Sequence, residues 1–169
     1  VTDSIRQYAL TADINEGFLL ASPQRQVSSC MYAAAKSWQE GQKVGDELLY
    51  EDLGLINEGK DDVSPLIDYL KRDVLPTVDL EGLRKDDSKY ERFRDVLLDY
   101  LESNPKEKVV VFSYFRGTLS YLSERLLQEG VKNQVLVGGM KQTKQDVIDN
   151  FREDVAIRVL LSSEVASEG

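Results

Sequence analysis

The sequence predicts an α/β fold, with a parallel sheet in residues 87–169 and an all-helical extension in residues 1–86. Two observations support this division. Residues 1–86 show only helical spacing of apolar residues, whereas residues 87–169 contain three short apolar runs with a helical pattern between each run and the next. Because short connections of this kind make right-handed crossovers, the three strands should be parallel.

Two helical patterns occupy residues 1–41. The first has a single apolar face, formed by Ile5, Tyr8, Ala9 and Ala12. The second starts at Ser22-Pro23, where an N-cap residue precedes a proline at the first helical position, and it ends at Gly41. Its apolar face consists of Val27, Cys30, Met31, Ala34 and Trp38. Because Cys30 lies on this face, we predict a buried small side chain and not a nucleophile.

Residues 1–105 are strongly acidic. The net charge of −9 arises entirely in residues 1–105, because residues 106–169 carry nine basic and nine acidic side chains. The densest stretch, residues 40–62, contains eight acidic residues and two lysines. This composition predicts a solvated, flexible insertion rather than an acidic mimic of nucleic acid. Beyond it, Ser64-Pro65 starts a third helix, through Ile67, Leu70 and Val74, which stops at Pro76.

The elements of residues 87–169 follow one another closely. Ser88 is the predicted N-cap of a long helix that Asn104-Pro105 ends. The apolar stripe of this helix comprises Tyr90, Phe93, Val96, Leu97, Tyr100 and Leu101. Residues 109–112, Val-Val-Val-Phe, form a β-branched run without alternation, which is typical of a strand buried on both faces.

Two further helices alternate with two further strands. A helix over residues 118–129 has Leu119, Leu122 and Leu126 facing inward and ends at Gly130. Residues 135–137 and 157–161 are the second and third strands. Between them, Thr143 and Asp146 form a capping-box pattern at the start of a helix. Its apolar side consists of Val147, Ile148 and Phe151.

Composition excludes several classes of site. The sequence has no histidine and one cysteine, which rules out histidine-based triads, histidine metal sites, cysteine zinc clusters and an internal disulfide. A lone cysteine fits a reducing, cytoplasmic setting. No apolar run of about 18 residues predicts a membrane span, and the first residues show no secretory signal. Self-contained hydrolytic chemistry is therefore not expected.

The ends of the three predicted strands point to an anion-binding edge. Ligands bind at the carboxyl ends of parallel strands, where this sequence has loops at residues 113–117, 138–141 and 162–169. Two of the loops lead into helix N-termini, whose N–H groups suit phosphate oxygens. Arg116, Lys141 and Lys144 add positive charge there. The alternative is that these residues are ordinary turn and capping residues.

The order and spacing of three segments resemble the second RecA-like lobe of superfamily-two helicases. The segments are residues 109–115, residues 137–140 with the helix end at 149–152, and residues 159–169. The likeness is greatest to Swi/Snf-type double-stranded-DNA translocases, in particular the bacterial subgroup that includes the RNA-polymerase-associated ATPase. The resemblance implies a three-layer RecA-like lobe covering motifs IV to V, cut off before motif VI, and a bacterial, nucleoid-associated location.

The resemblance also implies roles for particular residues. Ser113 corresponds to the fourth motif, whose loop approaches the nucleic-acid backbone, and Gly138 and Gly139 correspond to a glycine turn that faces phosphates. Ser163 corresponds to the hydroxyl of the fifth motif, which contacts the strand that the motor follows. Glu168 and Gly169 end that motif beside the nucleotide. Arg116, Lys141 and Lys144 have no fixed counterpart and join the nucleic-acid surface through charge and position.

Other family features are missing from the sequence. It contains no Gly-x-x-x-x-Gly-Lys-Ser/Thr loop and no Asp-Glu-x-His segment, and the arginine finger belongs to the sixth motif. The resemblance therefore implies ATP and magnesium only in a longer parent protein, with the missing N-terminal RecA-like lobe as a partner. We expect the fragment alone to be inactive and to self-associate through its incomplete sheet.

Three functions remain open on the sequence. The first is a fragment of an ATP-dependent translocase that contacts double-stranded DNA, with RNA as an alternative substrate. The second is a non-catalytic protein-interaction module that keeps the shape of the lobe and docks through its acidic helical half. The third is a small nucleotide-binding α/β protein unrelated to helicases.

Overall fold

A computed structural model describes residues 2–12, 16–40 and 68–163. The chain divides into two compact units, Val1–Asp86 and Asp87–Gly169. Residues 41–62 of the acidic stretch and the predicted helix start at Ser64-Pro65 lie outside the described residues. The same holds for Glu168 and Gly169, the two residues expected at the nucleotide.

The first unit begins with three helices, α1 (Thr2–Ala12), α2 (Glu16–Ser29) and α3 (Met31–Glu40). The prediction for α1 is confirmed. The predicted helix start at Ser22-Pro23 is wrong, because α2 begins at Glu16 and Pro23 lies inside it. Pro23 is buried, so packing overrides the local start signal. The break comes instead at Cys30, where the N–H still donates to the carbonyl of Gln26 at 3.0 Å.

Trp38 lies at the centre of the core of the first unit. It packs with Ala34, Leu70 and Val74, and its indole N–H donates to Oε1 of Gln26 at 2.6 Å. Cys30 is 7% exposed, which confirms the prediction of a buried side chain. Leu70–Val74 forms a π-helical turn and Leu75–Thr77 a closing 3-10 turn that contains Pro76. A short helix that the sequence analysis missed, α4 (Leu80–Lys85), follows with Asp79 as its N-cap.

The second unit is an α/β layer structure. Its elements are α5 (Ser88–Ser103), β1 (Val109–Phe112), α6 (Arg116–Gln128), β2 (Asn133–Leu136), α7 (Lys144–Glu153) and β3 (Val159–Ser162). The three described strands are parallel in the order β1-β3-β2, with Val159 in register with both Val109 and Asn133. The predicted α/β fold with a parallel sheet and preceding helices is confirmed.

Details of α5 differ from the prediction. Its N-cap is Asp87, whose Oδ1 accepts from the N–H of Tyr90 at 2.9 Å, and Ser88 is the first helical residue. A carboxylate is the stronger cap because its charge also interacts with the helix dipole. The stripe is narrower than predicted, since Val96 and Tyr100 are exposed. Its buried residues are Tyr90, Leu97 and Leu101.

The central strand separates two apolar cores. Val159 and Leu161 of β3 face the layer of α5 and α6, where they pack with Leu97, Leu101, Leu119 and Leu126. Leu160 faces α7 and packs with Leu136, Val147, Phe151 and Ile157. Burial on both faces was predicted for β1 and is wrong there, because Val110 and Phe112 are 44% and 59% exposed. In the described sheet, β1 is an outer strand and β3 is the strand that both layers cover.

Candidate nucleic-acid interface

The carboxyl ends of the three strands bring the predicted loops together. The N–H of Ser113, just after β1, donates to the carbonyl of Ser162 at 3.1 Å. The N–H of Ser163, just after β3, donates to the carbonyl of Leu136 at 3.0 Å. Ser113, Ser163 and the turn at Gly138 therefore lie along one edge of the sheet.

Ser113 forms a local turn at this edge. Its hydroxyl oxygen accepts from the N–H of Phe115 at 3.3 Å, and its side chain is half-buried. This is the turn role that the sequence analysis gave as the alternative. The second lone pair of the hydroxyl oxygen and the hydroxyl proton stay available for another partner.

Ser163 is buried without a hydrogen-bond partner for its hydroxyl. The residue is 3% exposed, and its Oγ has no hydrogen-bond partner among the described residues. Because side chains alternate along β3 and Leu161 faces α6, the Ser163 side chain lies on the α6 side of the sheet. A buried hydroxyl without a partner costs about 1–3 kcal/mol, which favours a role beyond packing.

The start of α6 carries positive charge and no side-chain cap. Phe115 is its N-cap and provides no side-chain hydrogen bond, and Arg116 is the first helical residue. The first N–H groups of a helix have no intrahelical acceptor and form the positive end of its dipole. Arg116 is half-buried, and neither an ion pair nor a hydrogen bond holds its guanidinium in the described part of the chain.

Gly138 places the second loop beside Arg116. A Cβ atom at position 138 would lie 3.1 Å from Nη2 of Arg116. The next residue, Gly139, has a φ of +72°, a conformation that glycine adopts without strain. The turn thus passes close to the guanidinium, a proximity that sequence analysis missed. The only signal for it in the sequence is a cation at the first position of a helix, where a cation is unfavourable.

The two predicted lysines lie at the start of α7. Lys141 is exposed in the loop, and Lys144 is the first residue of the helix. The predicted capping box is confirmed, because Thr143 Oγ1 accepts from the N–H of Asp146 at 3.1 Å and the N–H of Thr143 donates to Asp146 Oδ2 at 3.3 Å. This helix start is therefore capped and partly neutralised, in contrast to that of α6.

The residues of the described chain do not fit an ATP–magnesium site. Within residues 2–12, 16–40 and 68–163, no group of three or more Asp, Glu or Cys side chains is placed to hold a metal ion. The sequence also lacks the glycine-rich loop that cradles nucleotide phosphates.

None of the described helices is both long and apolar enough to cross a bilayer.

Comparison with known proteins finds one sequence profile that matches the second unit. Residues 88–169 match the sequence profile described as "Helicase conserved C-terminal domain". A Methanocaldococcus jannaschii protein named "Putative ATP-dependent RNA helicase MJ1505" is 30% identical over 83 residues, which are 44% of this chain and 10% of the relative. The chain thus spans about a tenth of the length of this curated relative. No solved structure matches the chain significantly. The family match and the parallel sheet together support a helicase C-terminal lobe in residues 88–169.

Proposed function

We propose that the chain is part of an ATP-dependent double-stranded-DNA translocase of the Swi/Snf type. In this proposal the carboxyl edge of the sheet binds the phosphate backbone of DNA. The observation that carries the proposal is the guanidinium of Arg116, which has no anion partner among the described residues and lies at the uncapped start of α6. A cation in this position is unfavourable for helix stability, and a bound phosphate would neutralise it.

The groups around Arg116 suit the backbone of a nucleic acid and not its bases. Gly138 and Gly139 let the chain approach a phosphate closely, and Ser113 and Ser163 supply hydroxyl groups. Contacts of this kind fix the position of a protein on a duplex and carry no sequence information. We therefore expect binding that does not depend on DNA sequence.

ATP belongs to the parent protein in this proposal. Nucleotide and magnesium would bind between the present lobe and an N-terminal RecA-like lobe, with Glu168 and Gly169 on this side of the cleft. Opening and closing of the two lobes would then move the protein along DNA.

RNA is the second candidate substrate. The name of the archaeal relative refers to an RNA helicase, and contacts to phosphates do not by themselves distinguish DNA from RNA. Contacts to 2′-hydroxyl groups would make that distinction.

Fluorescence anisotropy with labelled duplexes tests the proposal. We expect weak binding of a DNA duplex at low salt that is lost towards physiological salt, because about three cations make phosphate contacts and the net charge is −9. An RNA duplex of equal length tests the second candidate, and tighter RNA binding would favour it.

A pair of double variants tests the position of the surface. Lys141→Ala with Lys144→Ala should weaken binding further. Lys106→Ala with Lys132→Ala is the matched control, because these lysines are exposed next to the amino ends of β1 and β2. Equal binding by wild type and the first double variant would contradict the assignment of the two lysines. No binding at any salt concentration would contradict the proposed function.

A further inference from the structure

We propose that Arg116 is the principal phosphate ligand of this edge and that Gly138 is a positioning residue for its guanidinium. The ligand class is a phosphodiester group of a nucleic-acid backbone, so the inference rests on the proposed function. In this inference, phosphate binding by Arg116 depends on Gly138, which lies in another loop.

The charge of Arg116 is not balanced by a neighbouring carboxylate among the described residues. Arg116 is half-buried at the first position of a 13-residue helix and has no carboxylate partner in the described chain. By contrast, Arg72 and Arg94 are paired with the neighbouring Asp73 and Asp95 at 2.6 Å and 2.7 Å. A cation that is partly withdrawn from water beside a positive helix end favours an anion from outside the chain.

The buried hydroxyl of Ser163 is an independent sign of a ligand. It is 3% exposed and has no hydrogen-bond partner among the described residues, and the alternation of side chains along β3 predicts that it faces α6. A phosphate oxygen is an acceptor for both a guanidinium and a hydroxyl group. Such a contact would satisfy the Ser163 hydroxyl, one of three buried polar side-chain atoms without a partner in the described second unit.

The guanidinium of Arg116 occupies the space next to position 138. A Cβ at position 138 would approach Nη2 of Arg116 to 3.1 Å, which is closer than ordinary van der Waals contact. The contact involves the end of a flexible side chain, so alanine at this position should displace the guanidinium by a few tenths of an ångström and leave the fold intact. The φ of Gly138 is not among the positive values found in this structure, and alanine is therefore compatible with the backbone.

Binding of a DNA duplex by Arg116→Gln is the main test. We expect affinity at low salt to fall about tenfold. The slope of log affinity against log salt should become shallower by about 0.9, as for the loss of one phosphate contact. Arg116→Lys should keep the slope because it keeps the charge. Arg152→Gln is the matched control, since this side chain is 72% exposed on α7, and it should leave the slope unchanged.

A double-mutant cycle tests the role of Gly138. Gly138→Ala should weaken binding in the wild-type background, with the same melting temperature, and should have no further effect in the Arg116→Gln background. Residues that act through each other give such non-additive effects. Equal effects of Gly138→Ala in both backgrounds would overturn the positioning role.

A sulfate titration separates this inference from the proposed function. In a ¹⁵N-labelled chain, the Nε–H signal of Arg116, identified by its absence in Arg116→Lys, should shift saturably with sulfate. A shift without any DNA binding would support the anion site and contradict the proposed function. DNA binding with an unchanged salt slope in Arg116→Gln would support the function and overturn the inference.

Discussion

Lys108 and Arg158 make reciprocal contacts with two helix ends. The cation before β1 binds the end of the helix that precedes β3, and the cation before β3 binds the end of the helix that precedes β1. Lys108 precedes β1, and its Nζ donates to the carbonyls of Phe151, Asp154 and Ile157 at the end of α7. Arg158 precedes β3, and its guanidinium donates to the carbonyls of Leu101, Asn104 and Glu107 at the end of α5. Each cation thus satisfies one carbonyl of a last helical turn, that of Phe151 in α7 or that of Leu101 in α5, which helix geometry leaves without a donor. Both cations also complement the negative ends of the helix dipoles.

Replacement of either cation should destabilise the second unit. We expect Lys108→Met and Arg158→Met each to lower its free energy of unfolding by about 1.5–3 kcal/mol, the usual contribution of hydrogen bonds to charged groups. Hydrogen exchange of the β3 amides measures this quantity for the second unit alone. Arg152→Met is the control and should change it by less than about 0.5 kcal/mol, because Arg152 is exposed and lies 3.9 Å from Asp149. Equal exchange rates in all variants would show that the carbonyls are satisfied without these cations.

Tyr90 should make the stability of the second unit sensitive to alkaline pH. The residue is 2% exposed, and the guanidinium of Arg125 lies 4.0 Å from the centre of its ring. Burial, followed by the charge of Glu129, raises the pKa of Tyr90 above its ordinary value. The neutral phenol is therefore favoured in the folded state, so its contribution is fully present below about pH 10 and is lost as pH rises through the folded pKa.

Tyr90→Phe tests this pH dependence. The variant should be close to wild type in stability at pH 7, because it keeps the buried aromatic ring, and it should lose less stability than wild type as the pH rises above about 10. Tyr100→Phe is the control on the same helix, since Tyr100 is 46% exposed. A parallel fall in stability for wild type and Tyr90→Phe would assign the alkaline transition to another group.

Local signals in the sequence predicted much of the second unit. The bounds of β1, the capping box at Thr143 and the helix end at Gly130 follow from residues next to each other in the chain, and the structure has all three. Pro23 shows the limit of such signals, because it is buried inside a helix that begins seven residues earlier, at Glu16. The same reason explains why an apolar run could not reveal whether β1 or β3 is the central strand.

The predicted site also combines features that follow from the sequence with features that do not. Parallel strands must end at one edge, and this predicted that Ser113, Gly138 and Ser163 would lie near one another. The missing cap at Phe115, the buried hydroxyl of Ser163 and the approach of Gly138 to Arg116 depend on side-chain positions across loops. No spacing rule provides such positions from a single sequence.

The isolated chain should not hydrolyse ATP. The phosphate loop and the metal-binding carboxylates have no counterpart in the sequence, and phosphoryl transfer requires both. A phosphate-release assay with and without duplex DNA should give background rates. Turnover near about 1 per second, an ordinary enzyme rate, would contradict the expectation that the catalytic groups belong to a longer parent protein.

The outer edge of β1 should make the chain self-associate. The N–H groups of Val109 and Ser113 donate to the carbonyls of Arg158, just before β3, and Ser162, at its end. Those of Val110 and Phe112 therefore point away from β3. Both side chains are also exposed, on the face opposite Val109 and Val111. An antiparallel pair of β1 strands centred on Val111 would place Val110 of each copy opposite Phe112 of the other, a self-complementary contact. Because so small a patch lies well below the area of a stable interface, we expect weak, reversible association.

Sedimentation velocity over a concentration series measures this association. Phe112→Lys should abolish it, because a charge on an edge strand opposes pairing with another chain. Val155→Lys is the control, since Val155 is 83% exposed but lies in the turn between α7 and β3, where no strand edge is available. A wild-type chain that stays monomeric at high concentration would show that the edge of β1 does not recruit a second copy. Equal association of wild type and Phe112→Lys would place the contact elsewhere on the chain.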